Sequence, residues 1–237
     1  MKVEDIIVHG KDYFLPNLSI DLTIIGYRYN QLQVLLMKVG DKWMLPGGYI
    51  GLQESVDEAV KRILLERTDL RKPYFKFLSV FGHKDRKFAE EFQQFFKINN
   101  MIWKEDYWIN NRFVTLAFYA LVDIDTVNPA PGDFDDAVEW FPLNALPPIW
   151  LDHKLIIQSA RDRLKSDIKY DQITYNLLPQ EFTMPQLHAL HETILEEKLD
   201  RSRFQKNILA TELFERLPEV VKASPGRNPF QYRLKKE

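Results

Sequence analysis

Apolar and polar positions alternate along the first part of the chain and then change to a helical period. Two sets of apolar residues recur at every second position: Ile20, Leu22 and Ile24, then Leu32, Val34 and Leu36. This alternation predicts a β-hairpin with a tight turn at Asn30 and Gln31. The stretch "WMLPGGYI" at 43–50 contains a proline and two glycines and predicts a loop. From Glu54 to about Arg67 the apolar residues have helical spacing, which predicts a helix.

The middle of the chain predicts further strands and one long helix. "FKFLSVFG" at 75–82 and "RFVTLAFYALVDI" at 112–124 have the composition of strands. The second is almost entirely apolar, as expected of a strand covered on both faces. "AVEWFPLNAL" at 137–146 predicts a short strand and a turn, and "LDHKLIIQSARDRLKSDI" at 151–168 predicts a helix with one polar face.

An aromatic-rich insertion lies at about 87–111. Phenylalanines at or beside this insertion recur at helical spacing: Phe88, Phe92, Phe95 and Phe96. The favoured interpretation is a helix packed on the core or on a partner subunit. The alternative is a lid over a ligand pocket, and the sequence leaves it open.

The last sixty residues follow a different plan. "TMPQLHALHETIL" at 183–195 predicts a helix capped by Thr183, and "DRSRFQKNILA" at 200–210 predicts a second helix capped by Asp200. Two strand-like runs joined by the turn "SPGRN" at 224–228 follow. Helix, short turn, helix and hairpin in this order are typical of a winged helix-turn-helix.

Composition narrows the class of protein. The 237 residues are 45% hydrophobic and 28% charged, typical of a globular chain with two domains of unequal size. The absence of cysteine excludes disulfides and thiolate chemistry. No stretch predicts a secretion signal or a membrane span, so we expect a cytoplasmic protein. The net charge of the whole chain is −2, but its C-terminal part is basic: residues 198–237 hold ten Lys and Arg against five Asp and Glu.

The segment "GYIGLQESVDEAVKRILLERTDL" at 48–70 resembles the Nudix box. The residues that match that pattern are Gly48, Glu54, Arg62, Leu64, Glu66 and Leu70. In that family the box is a loop and helix within an α/β/α sandwich, and its glutamates hold divalent cations against a diphosphate. Carboxylates three and four residues apart share one helical face, which is why they can converge on one Mg²⁺.

The box departs from the family at three positions: Ile63 and Arg67 replace glutamates and Asp69 replaces a glycine. Glu66 is left as a weak metal candidate, and one carboxylate cannot satisfy the octahedral coordination of Mg²⁺. Arg67 adds a repulsion of about 2 kcal/mol for a divalent ion at about 4 Å in water. We therefore expect no catalytic residue, no metal, no cofactor and no hydrolase activity. The alternative is a pyrophosphohydrolase acting on ADP-ribose or a sugar nucleotide, with Mg²⁺ held by Glu54, Glu58 and Glu66.

The order of segments from about residue 17 to 237, apart from the insertion after Arg86, resembles the Nudix-related transcriptional regulators. The likeness includes "LSVFGHKDR", "LPPIWLDHKLIIQSARDRL" and "NLLPQEFTMPQLHALHETIL". It implies an α/β fold: a Nudix-like α/β/α sandwich with a mixed sheet, then a small α+β winged helix. The expected divisions are an effector domain at 1–150, a linker helix and connection at 151–176 and a DNA-binding domain at 177–237. The resemblance also implies a homodimer on a palindromic double-stranded DNA operator, controlled by a small effector.

Candidate effector residues combine the box with polar positions that line the family's pocket. They are Asp21, Gly47, Gly48, Glu54, Arg62, Glu66, His83, Asp85 and Arg86. Two effector classes fit the family, ADP-ribose-like dinucleotides and pentose-type sugars. Loss of the cation site favours an uncharged sugar, which needs hydroxyl-binding polar groups and an aromatic wall. Arg62, Arg67 and Arg86 could instead clamp a diphosphate without metal.

Candidate DNA contacts lie on the outer face of the second predicted winged-helix helix and on the hairpin. They are Arg201, Ser202, Arg203, Lys206 and Asn207, with Lys222 and Arg227 near the hairpin tip. Arg and Asn can read guanine and adenine edges, whereas Lys more often meets phosphate. Lys235 and Lys236 fit either a backbone contact or a frayed terminus. His188 and His191 suggest metal only weakly, because nothing completes a site, and half-buried structural histidines are the better interpretation. A winged helix that binds protein instead of DNA is a further alternative.

Overall fold

The computed structural model describes residues 3–98, 100–131, 136–220 and 228–235. The helices are α1 (Val3–His9), α2 (Val56–Thr68), α3 (Ala89–Ile98), α4 (His153–Asp167), α5 (Met184–Leu195) and α6 (Arg201–Ala210). The strands are β1 (Phe14–Arg28), β2 (Gln31–Val39), β3 (Lys42–Met44), β4 (Gly47–Gly51), β5 (Tyr74–Phe81), β6 (Val114–Leu121), β7 (Ala137–Pro142), β8 (Phe182–Thr183), β9 (Phe214–Glu219) and β10 (Phe230–Leu234). Among these described residues, no helix has the length and apolar character needed to cross a bilayer.

Within the described ranges, β1 to β7 form one mixed sheet. Its central order is β3-β2-β1-β6-β5, with β4 paired to β1 and β7 paired to β2. β1 and β6 run parallel and the other paired strands run antiparallel. The middle of β6 is buried on both faces, as its apolar sequence predicts.

Helices cover both faces of this sheet. The buried residues of α2, among them Val60 and Leu64, join a core cluster with Ile20, Leu22 and Ile24 of β1. The other face carries α4, whose apolar side shares a second cluster with β2, β6 and the winged helix: Ile156, Ile157, Ala160 and Leu164. The predicted helix–sheet–helix sandwich is confirmed.

Two details of the first hairpin region differ from the sequence prediction. The turn between β1 and β2 lies at Tyr29 and Asn30, with φ of 55° and 56°, and not at Asn30 and Gln31. Residues 47–51, predicted as a loop, form strand β4. Gly47 explains the error, because a Cβ there would lie 2.6 Å from the carbonyl oxygen of Ile20. Only glycine lets the two backbones approach so closely, and that role is not visible without the partner strand.

The insertion forms α3 and packs beside α1. Phe96 is buried with Ile7 and Ile109 in a small apolar cluster. The rings of Phe92 and Phe95 lie 5.5 and 5.7 Å from that of Trp150, measured between centroids. These contacts agree with the interpretation of a packed helix.

The C-terminal elements form a winged helix in the described residues. Thr183 and Gln186 make a reciprocal capping box at the start of α5, and the Asp200 carboxylate accepts from the Arg203 amide at the start of α6. β8, β10 and β9 form a small antiparallel sheet in that order. Residues 224–227 of the predicted hairpin turn lie outside the described residues.

Candidate functional site

A buried ion cluster joins the sheet to the start of α4. The Arg86 side chain is 6% exposed and donates to both oxygens of Asp152, Nε to Oδ2 at 2.7 Å and Nη2 to Oδ1 at 3.1 Å. Arg86 Nη2 also lies 3.3 Å from Oδ2 of Asp21, and Nη1 donates to the carbonyl oxygen of Phe113 at 3.3 Å. Asp21 and Arg86, both predicted from sequence, are therefore brought together. Asp152 was missed.

His153 completes this cluster as a neutral group. Its Nδ1 accepts from the amide of Leu45 at 2.9 Å, so the proton is on Nε2, which lies 3.6 Å from Oδ1 of Asp21. Burial lowers the pKa of His153, although the carboxylates of Asp21 and Asp152 oppose that shift. In the sequence, the signal for this role of His153 is limited to the Asp-His pair at the start of a predicted helix.

Strand β4, at the start of the Nudix-like segment, lies against the same cluster. Gly47 pairs with Asp21 across β4 and β1, and a Cβ on Gly48 would contact Ile63 of α2 at 3.1 Å. Tyr49 lies between the two parts of the site: burial raises the pKa of its hydroxyl, and Asp21 raises it further. The backbone oxygen of Tyr49 accepts from Arg62 at 2.8 Å.

The α2 part of the site is organised by Arg62. Its guanidinium holds both oxygens of Glu54, at 2.8 and 3.0 Å, and lies 3.5 Å from Glu66. These hydrogen bonds lower the pKa of Glu54, whose Oε2 also accepts from the Gly51 amide at 3.0 Å. Glu54, Arg62 and Glu66 therefore form one group, as the box spacing predicts.

The three departures from the Nudix box have different structural consequences. Ile63 is 1% exposed and belongs to the core under α2. Arg67 is half-buried on the same helix. Asp69 is the C-cap of α2 with φ of 58°, the left-handed conformation that glycine favours, so this replacement keeps the backbone of the turn. The replacement of glycine by Asp69 therefore affects only the conformation of this turn and removes no carboxylate from the box.

The residues present do not fit the divalent cation that this fold family implies. Both carboxylate oxygens of Glu54 accept hydrogen bonds from Arg62, and Glu66 is half-exposed beside the same guanidinium. Arg67 carries a positive charge at the position where the family has a glutamate. Across the described residues, no group of three or more His, Asp or Glu side chains could hold a metal ion. Mg²⁺ needs several oxygen ligands in near-octahedral placement, which this group does not offer.

Two predicted effector residues lie apart from the buried cluster. The side chains of His83 and Asp85 are 77% and 71% exposed and lie 3.4 Å from each other in the turn after β5. Within the described residues, the backbone links them to the site through the Arg86 amide, which donates to the His83 oxygen at 3.0 Å. Their predicted role in the pocket therefore has no contact supporting it.

The insertion contributes one ring, that of Trp108, to a buried aromatic cluster beside Tyr49. Trp108 is buried, with its ring 4.6 Å from Tyr49, 4.8 Å from Phe113 and 6.1 Å from Phe14. Two cavities, of about 220 and 550 Å³, lie elsewhere, one beside the α2–β5 turn and one between α1 and the insertion. Arg86 itself is closed off from solvent.

The outer face of α6 is polar, exposed and positively charged. The five residues predicted there are all exposed: Arg201, Ser202, Arg203, Lys206 and Asn207. The inner face is apolar, with Ile208 buried and the Phe204 ring 5.1 and 4.9 Å from those of His188 and His191. Lys222, Arg227 and Lys236 lie outside the described residues, and Lys235 is exposed beyond β10.

The two histidines of α5 are structural. His188 Nε2 lies 2.9 Å from the Leu199 carbonyl oxygen, and His191 Nε2 lies 2.8 Å from the Thr174 hydroxyl. Both are buried, and burial lowers the pKa of His191 to about 4. They hold the α5–α6 turn and the preceding connection.

Comparisons with known proteins agree with this architecture. Residues 22–160 match the family described as the NUDIX domain, and residues 174–234 match the NrtR DNA-binding winged helix domain. The chain belongs to the Nudix-related transcriptional regulators. Like other members of this family, it joins a Nudix-like sandwich to a winged helix.

Individual relatives support the family assignment along nearly the whole chain. The ADPR responsive transcriptional repressor NtrR of Acinetobacter baylyi is 24% identical over 229 residues, covering 93% of this chain and 82% of that protein. Shewanella oneidensis NrtR complexed with a 27mer DNA is 26% identical with a TM-score of 0.72, covering 92% of this chain and 93% of that chain. A MutT/nudix family protein from Enterococcus faecalis is 22% identical with a TM-score of 0.68, covering 94% and 88%, and shows the fold alone.

Proposed function

We propose that this protein is a transcriptional repressor that binds operator DNA through α6 and releases it when ADP-ribose occupies the Nudix-like domain. The observation that carries the proposal is the exposed cationic face of α6, opposite an apolar inner face, in a chain similar along its length to a regulator solved with DNA. A helix with this polarity, in a winged helix, is the element that enters the major groove.

Roles within α6 follow from side-chain chemistry. Arg203 and Asn207, four residues apart on the exposed face, are the base-reading pair, since bidentate Arg selects guanine and bidentate Asn selects adenine. Arg201 and Lys206 contact phosphate, and Ser202 lies at the edge of the contact. Two copies of the chain present two such helices to a palindromic operator, as usual for this motif.

ADP-ribose is the effector we propose, and the sequence-based preference for a pentose-type sugar finds no support in the comparisons. The repressor of Acinetobacter baylyi is described as ADPR responsive. The physical premise for a sugar was the lost cation site, but two guanidinium groups lie near Tyr49. Arg62 donates to its backbone oxygen and Arg86 acts on its hydroxyl, and in the effector-free protein each pairs with carboxylates. Guanidinium groups bind phosphate oxygens in pairs and need no metal to do so.

Hydrolysis is not part of the proposed function. Glu54 is held by Arg62, Ile63 is buried in the core and Arg67 is a cation where the family has a ligand. The expected result with Mg²⁺ and a panel including ADP-ribose and sugar nucleotides is no turnover above background. Turnover above about 1 s⁻¹, an ordinary enzyme rate, would establish the hydrolase instead.

DNA binding is tested with duplexes selected from a random pool by the full-length protein. Fluorescence anisotropy should give an affinity that falls steeply with added salt, because Lys and Arg release counterions from the phosphates. ADP-ribose should weaken binding to the selected duplex, while ribose should not. A matched control is Lys154→Ala, which removes one exposed charge on α4 and should leave DNA affinity unchanged. A protein that selects no sequence, or whose binding ignores salt, is not a DNA-binding repressor.

A further inference from the structure

Asp152 places a carboxylate inside the candidate effector site from the residue directly before α4. It directly precedes α4, where a side-chain oxygen commonly caps the helix, but its carboxylate makes no capping hydrogen bond. Both oxygens are instead held by Arg86, in the paired geometry that guanidinium groups form with carboxylates and phosphates alike. With Asp152 in place, the Arg86 side chain is only 6% exposed.

The helix that begins beside Asp152 also holds the DNA-binding domain. Further along α4, Arg161 and Lys165 both pair with Glu196, the C-cap of α5, the second of them at 3.3 Å. The apolar face of α4 shares one buried cluster with α5 and with Ile208 of α6. A displacement of α4 therefore acts directly on the base of the winged helix.

Side chains of α5 hold the turn between α5 and α6 on both sides of Leu199. Glu192 accepts from the Leu199 amide at 3.0 Å, and His188 Nε2 lies 2.9 Å from the Leu199 carbonyl oxygen. Asp200, the next residue, caps α6. These contacts connect α6 to α5, and the contacts of Glu196 connect α5 to α4.

We propose that Asp152 is an internal competitor for the effector: it occupies Arg86 in the effector-free protein, and an anionic effector replaces it and releases the start of α4. This inference rests on the proposed function and assigns a residue to its regulation. A phosphate group reaches the buried guanidinium only when the Asp152 carboxylate leaves. Effector binding and the DNA-competent position of α4 are then mutually exclusive at one side chain.

The proposal predicts that effector affinity and operator affinity change in opposite directions when Asp152 loses its charge. Removing the negative charge of Asp152 leaves Asp21 as the carboxylate that still contacts Arg86 in the described residues, and mimics the released state. Effector affinity should then rise while operator affinity falls, because the substitution shifts the population from the DNA-binding state to the effector-binding state. General loosening of the structure lowers both affinities and does not give opposite shifts.

The test compares Asp152→Asn with Asp171→Asn in the full-length chain. Asp171 also pairs with the sheet, through Lys76 at 2.7 Å, but makes no contact with Arg86, so it controls for loss of an ion pair. For Asp152→Asn we expect operator affinity without effector to fall at least about 5-fold and ADP-ribose affinity by calorimetry to rise by a similar factor. For Asp171→Asn we expect neither change. Asp152→Ser, which can cap α4, is a second variant should the first unfold.

Each outcome has a separate meaning. Unchanged operator affinity in Asp152→Asn, a fall in both affinities, or equal effects of the two substitutions would overturn the role of Asp152. A wild-type protein that ignores ADP-ribose, with operator affinity still reduced in Asp152→Asn, would overturn the proposed effector and leave the coupling through Asp152 standing.

Discussion

Restoring the first missing glutamate of the box, by Ile63→Glu, should destabilise the protein without restoring a metal site. Ile63 is 1% exposed and packs in the cluster that joins α2 to β1. Its end atom would lie 3.1 Å from a Cβ on Gly48, so the position offers no room for water. A carboxylate there would replace a fully buried branched side chain.

The expected size follows from two terms. Loss of the buried isoleucine costs about 2 kcal/mol. A buried carboxyl has its pKa raised by about 3 units, and each unit is worth about 1.4 kcal/mol, so keeping it in the core costs a further 3 kcal/mol or so at pH 7. The sum, about 5 kcal/mol, equals the whole stability of a marginal domain. Because the folded pKa lies above the unfolded one, the penalty grows as pH rises from about 4 to 7.

Urea unfolding followed by circular dichroism, at pH 5 and pH 7, measures both features. Leu65→Glu is the matched control, since Leu65 lies two residues further on α2 with 42% exposure and should cost less than about 1 kcal/mol. Ile63→Gln should be destabilised by a similar amount at both pH values, because it cannot ionise. If Ile63→Glu is as stable as Leu65→Glu, the side chain reaches solvent and the packing explanation of this departure is wrong.

Three further results are expected. Arg203→Ala should weaken binding to the selected duplex by about 1–3 kcal/mol and relax the preference at one base; equal weakening on random DNA would reassign it to phosphate. His191 has a pKa of about 4 in the folded protein, below its unfolded value, so acidification from pH 8 to 5 should remove about 2 kcal/mol of stability. His191→Gln should lack that part of the pH dependence, and equal slopes would refute the burial argument. Phe96→Ala should destabilise by about 3 kcal/mol if α3 is packed, whereas a lid would change effector affinity at little cost to unfolding.

Elements with local signals were predictable from the sequence. The caps at Thr183 and Asp200 each bond to an amide three residues on, so both partners lie within one short window of sequence. The pairing of Glu54 with Arg62 also follows from spacing, since the two fall within the box. β4 was not predictable, because the need for glycine at position 47 arises from a strand more than twenty residues earlier.

The buried half of the site shows the same limit more strongly. Arg86 meets Asp152 across 66 positions of sequence, and His153 reaches Asp21 from still further away. Each of these residues is ordinary in its own window: an Asp before a helix, an Arg in a turn. Only the topology, which places the start of α4 against β1 in the middle of the sheet, makes them one cluster.

The residues that the box keeps and those that it loses differ in what they do for the shape of the loop and helix. Glu54 accepts from the Gly51 amide, Arg62 donates to the Tyr49 oxygen, and Asp69 keeps the left-handed turn after α2. All three hold the shape of the loop and helix. The departures at Ile63 and Arg67 remove carboxylates without disturbing that shape, since one extends the core and the other lies half-buried on the same helix. Ion pairs within the protein, such as that of Glu54 with Arg62, therefore hold the geometry that the proposed effector would meet.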